Sequence, residues 1–136
     1  MKTYPRSDSK RKAFTLLELT IVIMVLLALI SLGFVASSQM NQWKRGRAAA
    51  ETLRTVYTAQ RMFLSDNPMR PVNSILPADL LPYMAGAPAA LPTVQAMDDT
   101  YLEIMIDRSP PRINDGSGQP YDKSGSNNDS LWDVGE

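Results

Sequence analysis

The sequence predicts an α+β protein: one long N-terminal helix, apolar in its first half and amphipathic in its second, then a small head with a short antiparallel sheet. Three observations carry this. Residues 14–36, FTLLELTIVIMVLLALISLGFVA, are an almost unbroken apolar run. No proline interrupts residues 6–67. Nine of the ten prolines and five of the seven glycines then fall in residues 67–136, where regular helix must give way to turns.

A chain of 136 residues has room for one small domain besides the apolar segment. The formal charge is zero but unevenly placed. Residues 1–12 hold five Lys/Arg against Asp8, a net +4; the remainder holds nine basic and thirteen acidic residues, a net −4. That asymmetry predicts a cytoplasmic basic leader and an acidic exported part, not a nucleic-acid binder. Lys44, Arg45 and Arg47, just beyond the apolar run, pull against this orientation. Without cysteine there is no disulfide, and without histidine there are no histidine-based zinc sites or triads. A membrane-anchored enzyme is disfavoured as well, because Asp98, Asp99, Glu103 and Asp107 follow no spacing that marks an acid/base pair.

Residues 1–13 are polar, contain Pro5 and lack an apolar period, so they read as a targeting leader. The plainer alternative is a secretory signal peptide cut after Ser38, which would release a small secreted binding protein. Against it stand the length of the apolar run and Glu18 within its first turns. From Leu19 to Ala36 no residue is charged, and 18 helical residues span roughly 27 Å, close to a bilayer core. The run reads as a membrane span over about residues 14–36. An ionisable side chain at its edge costs free energy, which makes Glu18 a functional candidate; the plainer reading places it at headgroup level. Thr20, Ser31 and Gly33 are small or weakly polar positions that suit close helix packing.

Beyond Ala36 the helical period continues. Met40, Trp43, Ala50, Leu53, Val56 or Tyr57, and Phe63 or Leu64 recur mostly at three, four and seven, which predicts one helix over residues 14–66. Gly33 and Gly46 permit a bend. Asp66-Asn67-Pro68 stops the helix. The head then occupies residues 67–136. Pro77 and Asp79 suit the start of a short helix, and residues 83–92 read as loop. Residues 100–106, TYLEIMI, alternate as a half-buried strand, and Leu131, Trp132, Asp133 and Val134 are read as a second, terminal strand. Residues 113–130 between them are rich in turn formers and side-chain oxygens. One reading is a flexible surface loop. The other is a calcium loop in which Asp122, Ser124, Asn127 and Asp129 offer hard oxygen ligands and Gly125 allows the turn, with Asp115 a further possible ligand; the spacing is not that of an EF-hand.

Phe14 to Leu19, FTLLEL, preceded by a basic leader and followed by a long apolar helix, resembles the cleavage and methylation motif of type IV pilins and type II secretion pseudopilins. The specific likeness covers about 25 residues; elsewhere it is architectural, a pilin-like long helix with a small sheet. The resemblance implies that a prepilin peptidase cuts between Ala13 and Phe14 and methylates the new amine of Phe14. It implies an assembly role for Glu18, whose carboxylate would pair with the amine of Phe14 on a neighbouring subunit and set the stagger between them. The family usually carries glycine where this chain has Ala13, so processing is expected to be slower or retained. The short cysteine-free head with an Asp/Ser/Asn/Gly loop looks most like a major pseudopilin. That would make the chain a structural subunit, not an enzyme, polymerising with copies of itself and other pseudopilins on an inner-membrane assembly platform. The periplasmic filament so formed would support export of folded proteins. A type IV pilus subunit is the alternative within the resemblance. No cofactor is expected beyond possible Ca2+.

Overall fold

A computed structural model describes residues 15–126 and 128–135. Its elements are a long helix α1 (Leu16–Asp66), a short helix α2 (Pro77–Leu80) and four two-residue strands: β1 (Val94–Gln95), β2 (Tyr101–Leu102), β3 (Ile104–Met105) and β4 (Arg112–Ile113). Single 3-10 turns at Val72–Ser74 and Leu81–Tyr83 flank α2. The chain divides into two compact units, Met1–Ser38 and Gln39–Glu136, so the division falls inside α1.

In the first unit every described residue is exposed, including the large apolar side chains from Leu16 to Val35. The segment is long and apolar enough to cross a membrane. Its hydroxyls are satisfied within the helix: Thr20 Oγ1 donates to the Leu16 carbonyl at 2.8 Å and Ser31 Oγ to that of Leu27 at 2.9 Å. Such back-bonding spares an apolar medium an unpaired donor.

In the second unit α1 buries one face through Gly46, Ala49, Ala50, Leu53, Val56, Ala59, Gln60 and Phe63, at helical spacing. Leu53, Val56, Ala59 and Phe63 pack with Ile75, Leu80, Met84, Val94, Ile104, Ile106, Ile113, Trp132 and Val134 into a single core cluster. Met40 and Trp43 do not join it; they remain 53% and 51% exposed. The apolar period alone could not separate these two from core positions, because a helix keeps its spacing whether a face meets protein or another apolar medium.

α1 ends as the sequence predicts. The amide and side-chain amide of Asn67 both donate to the Phe63 carbonyl, at 2.9 and 3.0 Å, and Pro68 follows. α2 starts at Pro77, with the Asp79 carboxylate accepting from the Leu76 amide at 3.0 Å.

The predicted strand over residues 100–106 is split. β2 pairs antiparallel with β1 (Val94 with Leu102, Gln95 with Tyr101), whereas β3 pairs with β4 (Ile104 with Ile113, Met105 with Arg112). The chain passes from one hairpin to the other at Glu103, whose carbonyl accepts from the Asn114 amide at 2.9 Å. The predicted alternation holds: Ile104 and Ile106 are buried, Tyr101 and Glu103 exposed.

The predicted terminal strand is absent. Ser130, Trp132 and Gly135 have φ of 63°, 66° and 68°, values incompatible with an extended ladder. Trp132, Asp133 and Val134 are all buried, so no alternation survives. The segment is instead an irregular strap laid on α1, with the Trp132 amide donating to the Gly46 carbonyl at 3.1 Å. Gly46 serves this close approach and not merely a bend. A Cβ there would lie 2.9 Å from Trp132 Nε1, 3.2 Å from Trp132 Cδ1 and 3.3 Å from Leu131 Cβ.

Candidate functional site

Glu18 is the third residue of α1, and Thr15 stands just before the helix. One Glu18 oxygen, Oε2, accepts from the Thr15 amide at 2.9 Å and from the Thr15 hydroxyl at 3.2 Å; Thr15 Oγ1 in turn accepts from the Glu18 amide at 3.2 Å. This is a reciprocal capping box, which satisfies amides that the first helical turn leaves unpaired. Glu18 is therefore not a lone carboxylate. The Thr-x-x-Glu spacing at residues 15–18 is the sequence signal for the box, and reading Glu18 only as a charge near hydrocarbon passes over it. The box turns the carboxylate back toward the start of the helix. Ala13 and Phe14, the predicted cleavage and methylation residues, lie outside the described residues.

Of the four predicted loop ligands, Asn127 lies outside the described residues. The other three form local turns. Asp122 Oδ1 accepts from the Ser124 amide at 2.8 Å and the Ser124 hydroxyl at 2.6 Å. Asp129 Oδ1 accepts from the Leu131 amide at 2.9 Å. Both carboxylates thus share one loop and bond through Oδ1 among the described residues. These hard oxygens are the kind that calcium selects. Among the described residues no three acidic side chains converge. Asp115 is engaged elsewhere, accepting from the Ser117 and Gln119 amides and the Ser117 hydroxyl. The hydroxyl bond holds its carboxyl below the usual range.

Among the described residues Asp98, Asp99 and Asp107 are each engaged by a neighbouring donor. Asp98 accepts from the Thr100 hydroxyl at 2.6 Å and Asp107 from the Arg108 guanidinium at 3.0 Å, and both are held below the usual range by these donors. A general acid needs the opposite shift. Asp99 pairs with Arg45 at 2.7 Å. Glu103 lies at a cavity of about 340 Å³ lined mainly by Pro77, Leu91, Pro92 and Ile104.

Sequence reasoning missed the groups that bind the strap and turns to α1. Besides Asp99, Arg45 reaches the Ala96 carbonyl at 2.8 Å, clamping the β1–β2 turn. Arg54 donates to the Val134 carbonyl at 2.9 Å and Ser130 Oγ at 2.8 Å. Asp133, 2% exposed, accepts through Oδ1 from the Ser130 and Gly135 amides at 3.0 and 2.8 Å. Such long-range polar contacts leave no periodic trace in a sequence.

In comparisons with protein-family models, with curated proteins and with solved structures, the chain has no significant match.

Proposed function

We infer that the chain is a pilin-like structural subunit of a type II secretion pseudopilus. The single observation that carries this reading is the FTLLEL motif placed at the start of a helix whose first twenty residues or so are apolar and exposed. The leader is cut after Ala13 and Phe14 is methylated. The apolar part of α1 anchors the subunit in the inner membrane with the head in the periplasm, until it enters a filament of like subunits.

In that filament Glu18 exchanges partners. Alone, it is satisfied by Thr15; beside a neighbour, the amine of the neighbour's Phe14 offers a full opposite charge, stronger than two neutral donors. Calcium bound by the residue 122–129 loop would add rigidity to a head that has no disulfide.

The test is the intact mass and N-terminal sequence of the protein from membranes of cells with a prepilin peptidase. A chain starting at Phe14 and heavier by one methyl group is expected. A chain starting at Gln39, or an uncut one, overturns the reading. For calcium, the melting temperature should rise on adding the ion and the rise should vanish in Asp122→Ala and Asp129→Ala; no calcium-dependent shift in the unaltered protein removes the ion from the account.

A further inference from the structure

Met40, Trp43, Lys44 and Arg47 stand at i, i+3, i+4 and i+7 on α1. At roughly 100° per residue they share one side of the helix, within an arc of roughly 100°. The core face, through Gly46, Ala49 and Leu53, lies on the other side. All four are exposed: Met40 at 53%, Trp43 at 51%, Arg47 with half of its side chain accessible, and Lys44 likewise in the exposed class. Met40 and Trp43 thus stand one helical turn apart, outward, and beside two cations. They also follow the apolar run within eleven residues of Ala36.

We propose that this face binds the headgroups of anionic phospholipids at the membrane surface from which α1 emerges. The proposal rests on the membrane-spanning part of the function given above, and not on leader cleavage or filament growth. Its chemistry is amphipathic. Trp43 combines an apolar ring with one N–H donor, the combination that settles at a bilayer interface. Helical side chains lean toward the N-terminus of their own helix, so Trp43, Lys44 and Arg47 cover the turn that precedes each of them. Long cationic side chains extend to phosphate level while their stems cover apolar surface. Of the three cations in residues 44–47, Arg45 is held by Asp99 at 2.7 Å and faces the head. Among the described residues Arg47 has only the long 3.8 Å contact to exposed Glu51, a pair that a phosphate can displace.

The experiment uses the full chain in vesicles of phosphatidylcholine alone and of phosphatidylcholine with phosphatidylglycerol, with the protein's lipid shell read by headgroup spin labels. Phosphatidylglycerol should be enriched over phosphatidylcholine by about fivefold per engaged cation. High salt should abolish that enrichment, and Lys44→Gln with Arg47→Gln should remove most of it. Trp43 emission should be quenched by lipids brominated near the headgroup, and the quenched component should disappear in Trp43→Phe while buried Trp132 continues to emit. Equal association of both lipids overturns the proposal, as does an enrichment indifferent to the double substitution. If the substitutions instead alter association between copies with no lipid dependence, the face belongs to a neighbouring subunit and the proposal fails. Protease protection separates the two readings: a chain that does not span the vesicle defeats both, and one that spans without lipid preference defeats this inference alone.

Discussion

Glycine at position 46 is worth more to this protein than any helix-forming residue would be. Alanine would gain about 1 kcal/mol of helix propensity, but its Cβ would meet Trp132 Nε1 at 2.9 Å. Overpacking of this kind costs about 1–3 kcal/mol, so Gly46→Ala is expected to lower stability by about 1 kcal/mol net, and Gly46→Val by more. Denaturant unfolding followed by Trp132 fluorescence checks it; an unchanged midpoint would show that the strap yields freely. Asp133 makes the complementary case. Asp133→Ala leaves the Ser130 and Gly135 amides without their acceptor and should cost about 1–3 kcal/mol, while Asp133→Asn keeps the accepting oxygen and should cost less. At the other end of α1, Thr15→Ala removes the capping box and should weaken the first helical turn by about 1 kcal/mol, seen as faster amide exchange there. Little of this residue-level detail was legible. Glu18 stood out because charge in an apolar run is conspicuous, whereas Gly46 and Asp133 depend on which distant segment lands on them.

Among the elements, legibility followed length. α1 could be read because a proline-free stretch with continuous apolar spacing has few alternatives, and Asn67-Pro68 marks its end. α2 could be read from Pro77 and Asp79. Two-residue strands such as β1 and β4 carry no period at all. The terminal strap misled because Leu131 to Val134 alternates in the string of letters while its backbone takes φ values above +60° at Ser130 and Trp132. The turns that follow β1, β3 and β4 give a pH prediction. Asp98, Asp107 and Asp115 are each held below the usual carboxylate range by a bonded neighbour: the Thr100 hydroxyl, the Arg108 guanidinium and the Ser117 hydroxyl. A lowered folded-state pKa contributes stability above the unfolded value of about 4, and that contribution is lost as pH falls through the folded value. The melting temperature should therefore hold steady from neutral pH to about 5 and decline below about 4. Thr100→Val and Ser117→Ala should make that decline shallower, because each removes the donor that lowers a pKa.

At the scale of the whole molecule, the core is complete without the apolar segment. Every residue of the core cluster lies at Ala49 or later, and the second unit begins at Gln39. A fragment spanning residues 39–136 should therefore be soluble and unfold in one cooperative transition; a fragment without one would show that the core needs the apolar segment. Within that fragment Leu53→Ala, at a fully buried position, should cost about 2–5 kcal/mol. Joining Gly46 to Trp132 also imposes an order in time. The helix is made before the strap, so a growing chain exposes a helix face that residues 130–134 have yet to cover. The head cannot mature in step with translation. Its final fold waits for residues 130–134, and any change there that crowds Trp132 would be felt at Gly46, some 86 residues earlier in the sequence.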